Sequence, residues 1–490
     1  MTTARRAAAA LGWNYGGAAA SVVLQLGYTA WTARTAAHGD FGQYAIALTL
    51  AQLLGLFATA GLATCVLRAE RLTRALLRAT LGLGLATGTA CCLLLMALAP
   101  LGSDLWNMPQ LTDTLRLLGL QYLVLPAGSV LLSALRRAGD HRYAVGAELA
   151  GQVVGCAASA ACLLRSGSPL ALALSAPVAA LATLLFAALP AHRLPLPAGE
   201  KPAASSLVGL SGFLSGFALL RSAAGSAPLW TAGLVLGPAA AGLYSRAQLL
   251  CDVPLNFVVR GLNQAAVPVF AQHQEENRPL ARPAQYLLCA ASAGLLAFGA
   301  LAGAGPALLS LLLGPGWQDA AALVPALALC AALQLLYAAG CSLDLARGAR
   351  RDLVRTQLVL IATTAAALAL AARHPDPVLI TTAASAGLAA GHGVQLLSWH
   401  RQHTLDAAAV LRAHLAHGAA GTALTAAGLW GGGANHSLPG ALLAMAPVLL
   451  AGLLLRDRLP AYRAAAGLGL LKRTPTPAAT TAPPALAPRP

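Results

Sequence analysis

Residues 31–44 read WTARTAAHGDFGQY, and residues 230–246 read WTAGLVLGPAAAGLYSR. Each stretch closes an apolar segment with Trp-Thr-Ala, passes through a short break, and opens the next apolar segment with Gly-x-Tyr. The tryptophans, at 31 and 230, are 199 residues apart, and the tyrosines, at 44 and 244, are 200 apart. Two matched hairpins in register predict that the chain contains an internal duplication.

Further matches extend the repeat on both sides of the hairpins. The pair Gly61-Leu62 corresponds to Gly261-Leu262, and G-x-x-x-G spacings occur at 12–16 and again at 212–216. Six apolar segments separate the copies, an even number, so both copies have the same orientation in a membrane. This arrangement predicts two lobes related by an axis along the membrane normal, with the transport path between them.

The composition is that of a polytopic membrane protein. Of the 490 residues, 58% are hydrophobic and only 10% are charged, and apolar runs long enough to cross a bilayer recur along the chain. We predict an all-α fold of about fourteen transmembrane helices: two pseudo-symmetric six-helix lobes around a central cavity, plus two C-terminal helices. The predicted helices are 12–34, 41–67, 79–101, 111–135, 142–164, 169–191, 206–234, 241–268, 283–306, 319–345, 353–372, 376–399, 404–430 and 438–456.

These helices divide the chain into five regions. The N-lobe comprises residues 1–191 and the C-lobe residues 206–399, and a Pro-rich cytoplasmic linker at 192–205 joins them. Residues 400–458 hold helices 13 and 14. The Pro/Ala/Thr-rich stretch 459–490 is predicted to be a disordered cytoplasmic tail.

The distribution of basic residues predicts the orientation. Of 32 Lys and Arg residues, 25 lie on the side of the N-terminus, three on the opposite side and four inside helices. This positive-inside bias places both termini in the cytoplasm and the protein in the plasma (inner) membrane. The net charge of +16 therefore reflects topology and does not indicate a nucleic-acid partner.

No cofactor, metal or catalytic residue is predicted. Asp40-Phe41-Gly42 lacks the other protein-kinase signatures and is interpreted as a hairpin, with Asp40 accepting from free N–H groups at the start of helix 2. The nine cysteines have no C-x-x-C spacing. The pairs His400/His403 and His414/His417 have metal-ligand spacing, but interfacial histidines are the expected interpretation.

Two further segments carry a family resemblance. The first part of the pattern is the F-G-x-Y hairpin after Arg34. The second is the stretch 236–272, LGPAAAGLYSRAQLLCDVPLNFVVRGLNQAAVPVFAQ, and the third is 311–352, which contains G-x-x-W and a basic turn. The pattern resembles the oligosaccharide flippase and polysaccharide exporter family, within the superfamily that includes multidrug and toxin extruders. The resemblance covers roughly residues 12 to 400.

The resemblance implies a transporter that moves a polyprenyl-pyrophosphate-linked oligosaccharide, or a related saccharide lipid, from the cytoplasmic to the outer leaflet. Alternating access of a cavity between two bundles would carry out this step. The implied partners are the lipid-linked oligosaccharide and membrane lipid, with a polysaccharide polymerase or glycosyltransferases of the same bacterial pathway.

Arginines inside helices are the first substrate-binding candidates, because a guanidinium binds phosphate and stays charged when desolvated. Arg221 lies near the middle of helix 7; its alternatives are a structural ion pair with Asp252 or Glu148, or an exposed position if the helix boundaries are misplaced. Arg246 and Arg116 lie one to two turns from the outer ends of their helices and could instead extend to the interface. Arg34 ends helix 1, where an ion pair with Asp40 is the alternative.

Polar and acidic side chains are further candidates for substrate binding and ion coupling. Asn14, Tyr15 and Gln25 of helix 1 can face a glycan or bond to neighbouring helices. Asp252, mid-helix and near Pro254, is the best candidate to bind a coupling proton or Na⁺. For Glu148 and Asp344, near cytoplasmic ends, solvated ion pairs are expected.

Three rival functions remain open at this stage. A multidrug extruder-like cation antiporter would need acidic residues in its cavity, whereas this sequence places arginines there. A membrane enzyme would need a large outer loop with catalytic groups, but every predicted outer loop is short. A scaffold without transport activity is the third.

Overall fold

The computed structural model describes residues 3–59, 61–69, 72–198, 211–276, 279–433 and 436–454. Every regular element within these ranges is helical. The first half of the chain forms eight α-helices: α1 (Thr3–Thr32), α2 (His38–Ala58), α3 (Leu62–Arg68), α4 (Arg74–Trp106), α5 (Leu111–Gly119), α6 (Leu125–Arg137), α7 (His141–Ser166) and α8 (Leu170–Ala191).

The second half continues with ten α-helices in the described residues. They are α9 (Ser211–Val235), α10 (Pro238–Glu275), α11 (Ala281–Ala291), α12 (Ala293–Leu313), α13 (Gln318–Ala321), α14 (Val324–Ala346), α15 (Arg350–Ala371), α16 (Pro377–Arg401), α17 (Ala407–Gly432) and α18 (Leu438–Leu454). The predicted linker 192–205 lies partly, and the predicted tail 459–490 wholly, outside the described residues.

The all-α, multi-pass fold is confirmed, and each predicted segment overlaps one helix or two consecutive helices. Eight of the described spans are long and apolar enough to cross a membrane. Among the other long helices, α1, α9, α10, α16 and α17 carry polar side chains that lower their mean hydropathy. The number of fourteen membrane crossings stays a prediction.

Four segments predicted as single helices are interrupted: 41–67, 111–135, 283–306 and 319–345. The segment 111–135 consists of α5, a 3₁₀ turn at Leu120–Leu123 and α6. Pro126 explains this break, because its ring lacks an N–H and would clash with the carbonyl of Tyr122 in a regular helix. The segment 41–67 is divided into α2 and α3 at Gly61, whose φ of 72° is left-handed.

Glycines let neighbouring helices within each half approach closely. Gly151 and Gly155 of α7 lie directly against the backbone of α8 around Ala179. In the second half, Gly387 of α16 lies directly against α15 at Thr364. In a membrane, where hydrophobic burial gives little drive to helix association, this close packing holds helices together. Helices α17 and α18 pack against each other, and α17 covers α12.

The two copies of the repeat meet each other at the hairpins quoted above. Gly42 of α2 faces the carbonyl of Pro238 and the N–H of Gly242, and Gly242 of α10 faces the carbonyl of His38. A Cβ atom at either glycine would overlap the opposite backbone. The two halves are therefore in direct backbone contact at the matched hairpins of the sequence repeat.

We expect Gly42→Ala and Gly242→Ala to destabilise the protein by about 1–3 kcal/mol, the usual cost of overpacking. Gly39→Ala is the matched control, because its added Cβ would meet Pro238 at 3.9 Å, an ordinary contact. Thermal unfolding of the purified protein in detergent measures the difference. Equal melting temperatures for the Gly39 and Gly42 variants would contradict the close contact.

Candidate functional site

Three indole N–H groups bridge the two halves near the hairpins. Trp230 donates to the Thr49 hydroxyl at 2.9 Å, and Trp106 donates to the Trp230 carbonyl at 3.1 Å. Trp317 donates to the carbonyl of Ala33 at 3.0 Å. These bonds join α9 to α2 and α4, and the turn before α13 to the end of α1. The two halves are thus closed on each other at the hairpin face of the bundle.

Aromatic and cationic contacts complete this closure. The ring of Trp317, only 2% exposed, packs edge-on against His38 and Phe41, with centroid separations of 4.3 and 5.5 Å. The guanidinium of Arg246 lies 4.6 Å from the centre of the Phe41 ring, close enough for a cation–π interaction. Arg246 therefore belongs to the contact between the halves.

On the side away from the hairpins, a cavity of about 620 Å³ separates the halves. Helices α1, α6 and α7 form one wall, and α10 forms the other. Its volume lies in the range of small-molecule sites. Its polar lining residues are Asn14, Tyr15, Ser21, Gln25, Arg136, Glu148, Gln152, Asn256 and Arg260. We call this space the central cavity.

Helical periodicity explains how these residues come to face one space. On α1, Asn14, Ser21 and Gln25 are separated by seven and four residues, spacings that repeat on one side of a helix. Glu148 and Gln152 on α7 are likewise four residues apart, as are Asn256 and Arg260 on α10. The polar stripes of three helices therefore meet at the central cavity.

The central cavity carries an excess of positive charge. Arg136 and Glu148 form an ion pair with an N–O distance of 2.6 Å. Arg260 contributes a second guanidinium from the opposite half, and Glu148 is the only carboxylate among the lining residues described. The lining therefore has two cations and one anion, with amides and hydroxyls that can bond to a polar ligand.

A smaller cavity of about 60 Å³ lies inside the second half, between α9, α10 and α14 to α16. Arg221 and Asp252 both line it, with the side chains of Tyr244, Gln248 and Tyr337. No ion pair joins Arg221 to Asp252 or to Glu148 in the described part of the chain, and Asp252 has no hydrogen-bond partner there. The structural ion pair considered for Arg221 is therefore not formed.

The other predicted residues lie elsewhere. Asn14 and Gln25 face the central cavity, whereas Arg34 and Arg116 are exposed and line neither cavity described here. Arg34 does not pair with Asp40. The Asp40 carboxylate instead accepts from the N–H of Ala37 at 3.2 Å, as expected for a residue at the start of a helix. Their roles in substrate binding stay predictions.

Sequence reasoning missed Arg136 and Arg260 as site residues, because both were counted only as positive charges on one face. The four-residue spacing of Asn256 and Arg260 was the available signal. Glu148 was expected to form a solvated ion pair, and it does pair with Arg136. Its position on the wall of the central cavity depends on how α7 is rotated, which hydropathy does not reveal.

Two expectations for interfacial polar groups need correction. Asp344 does pair with Arg347, at an N–O distance of 3.9 Å, but it is buried rather than solvated, being 1% exposed. It also accepts from the Trp399 indole at 2.8 Å. His414 and His417 are also buried, because α17 packs on its neighbours. His414 lies 3.1 Å from His392 between Nε2 atoms, and His417 bonds to Ser292 at 2.8 Å. Within the described residues, no group of three or more potential ligands is arranged for a metal.

Solved structures with the same architecture are transporters. The chain aligns with the lipid II flippase MurJ in an inward closed conformation at a TM-score of 0.62 and 11% identity, covering 91% of this chain and 98% of that one. An inward-facing multidrug resistance MATE family transporter of the MOP superfamily gives 0.60 and 14%, covering 80% and 96%. A MOP superfamily transporter from Pyrococcus furiosus gives 0.55 and 13%, covering 81% and 94%. These similarities show the fold: a helical bundle like those of these membrane transporters.

The sequence itself assigns the family. The profile of the polysaccharide biosynthesis protein family matches residues 32–322, which include both hairpins and all of α10. A search of curated proteins finds no match. The chain belongs to the polysaccharide biosynthesis protein family, and the predicted resemblance is confirmed at that level.

We expect Trp317→Phe to loosen the closed hairpin face, because the Ala33 carbonyl loses its donor while the aromatic packing stays. A lost hydrogen bond of about 1 kcal/mol corresponds to roughly fivefold faster local opening. Hydrogen–deuterium exchange of peptides covering residues 31–44 measures it. Trp430→Phe, at a side chain 84% exposed, is the control, and unchanged exchange in Trp317→Phe would refute the assignment.

Proposed function

We propose that the protein is a flippase that moves a polyprenyl-pyrophosphate-linked oligosaccharide, or a related saccharide lipid, across the plasma membrane for bacterial surface polysaccharide synthesis. The single observation that carries the proposal is the central cavity. It combines a volume of about 620 Å³ with two guanidiniums and several amide groups. Membership of the polysaccharide biosynthesis family supports a saccharide cargo.

The chemistry of the cavity suits the head group of such a lipid. Guanidiniums form charge-assisted bonds with phosphate oxygens, and Arg260 is the lining cation that forms no ion pair with a carboxylate of the described residues. Asn14, Gln25 and Asn256 offer donors and acceptors for sugar hydroxyls. The isoprenoid tail can remain in the lipid, where it loses no hydrophobic stabilisation.

Topology and the closed hairpin face support transport from the cytoplasmic to the outer leaflet. The positive-inside bias predicts that the N-terminus, and with it the cavity side, is cytoplasmic. The cavity would then load a cytoplasmic head group, and separation of Gly42 from Gly242 would release it outward. Glycosyltransferases that build the glycan and a polymerase that consumes it are the proposed pathway partners.

A multidrug extruder-like cation antiporter is the alternative function. It would need an acidic cavity to hold an organic cation, since opposite charges favour binding. In the central cavity Glu148 is already neutralised by Arg136, and Arg260 adds a positive charge. The charge of the cavity therefore supports an anionic cargo.

We expect Arg260→Gln to reduce flipping by about tenfold or more, because a charge-assisted bond to phosphate is lost. Appearance of the glycan lipid in the outer leaflet of reconstituted vesicles measures this. Arg142→Gln, which removes a cation stacked on Tyr143 away from the cavity, is the matched control. The variants Arg221→Ala and Arg221→Lys, measured in the same assay, test whether the smaller cavity at Arg221 takes part in flipping. Full flipping by Arg260→Gln would contradict the proposed site.

Asp252 is proposed as the ion-coupling residue, because it lines the smaller cavity and its carboxylate has no hydrogen-bond partner among the described residues. If a proton or Na⁺ binds there, Asp252→Asn should flip lipid at a rate that no longer depends on an imposed ion gradient. Vesicles with and without a Na⁺ or pH gradient measure this difference. Asp319→Asn, at an exposed position in α13, is the control. A variant that keeps its gradient dependence would exclude Asp252.

A further inference from the structure

An ion pair occupies one wall of the central cavity. The Arg136 guanidinium and the Glu148 carboxylate are 2.6 Å apart, and their side chains are 30% and 34% exposed. Burying such a pair completely would make it costly to break. An ion pair that is still open to water is weak, so another charged group can compete for either partner.

The position of the pair leaves both groups free to exchange partners. Arg136 is in the last turn of α6 and Glu148 in the third turn of α7, and a short turn at 138–140 joins the two helices. The pair therefore links neighbouring helices of one half that already pack together. Separating the two side chains does not require the helices to move apart.

We propose that Glu148 is an internal substitute for the anionic group of the cargo. In the empty central cavity it occupies Arg136, and on loading it yields Arg136 to a phosphate or carboxylate oxygen of the head group. The inference rests on the proposed function for the identity of the cargo, and it adds a second anion subsite to the one at Arg260.

The test measures anion binding to the full-length protein in nanodiscs, with inorganic pyrophosphate and glucuronate as separate probes. We call the probe that binds to the Arg136 subsite the matching probe. The Glu148→Gln variant should bind this probe about fivefold more tightly than the native protein does, because the competing carboxylate is lost. Arg136→Gln should bind it more weakly. In the double variant the gain from Glu148→Gln should vanish, which shows that the two residues act on one subsite. Glu275→Gln, an exposed carboxylate at the end of α10, is the control.

A second variant keeps the proposal testable if Glu148→Gln does not fold. Gln152→Glu places another carboxylate one turn further along the cavity wall, and it should weaken binding of both probes. Unchanged affinity in Glu148→Gln, or in Gln152→Glu, would overturn the proposal. Failure of the proposed function can be distinguished from failure of this proposal. In that case Glu148 would compete with the probes for Arg136 in the native protein, but the protein would move no lipid-linked oligosaccharide.

Discussion

The close approach of Gly42 and Gly242 is the constraint on which the arrangement of the two halves depends. Hydrogen atoms in place of side chains let α2 and α10 touch through their backbones. This contact brings the indoles of Trp230 and Trp317 within bonding distance of the opposite half. With the halves joined at the hairpins, the central cavity between α1, α6, α7 and α10 lies on the side away from them.

The cost of polar groups in lipid explains which helices form the cavities. A charged or amide side chain inside a bilayer must face a protein partner or water. Helices α1, α9 and α10 carry such side chains and turn them inward, toward the central cavity or the smaller cavity at Arg221 and Asp252. Apolar helices such as α4 and α8 carry many leucines at exposed positions, where lipid can cover them.

Much of the fold could be predicted from the sequence. The thickness of the bilayer sets the length of the membrane-spanning helices, and the internal repeat sets the orientation of the two halves relative to the membrane. The hairpins, the helical segments and the inward position of Asn14 and Gln25 were all accessible in this way. The rotation of each helix about its own axis could not be predicted from the sequence. Whether Arg136 faces water, lipid or a cavity depends on which neighbours pack around α6, and those contacts join residues far apart in sequence. The burial of His414 and Asp344 was missed for the same reason.

Helix α10 gives the molecule a mechanical link between its two faces. Its 38 residues correspond to about 57 Å of continuous helix. Arg246, in contact with Phe41, and Arg260, on the central cavity, lie on either side of Pro254. Tilting α10 about Pro254 moves Arg246 and Arg260 in opposite directions, because they lie on opposite sides of the pivot. One rigid element can thereby prevent both faces from being open at once, without any relay of side chains between them.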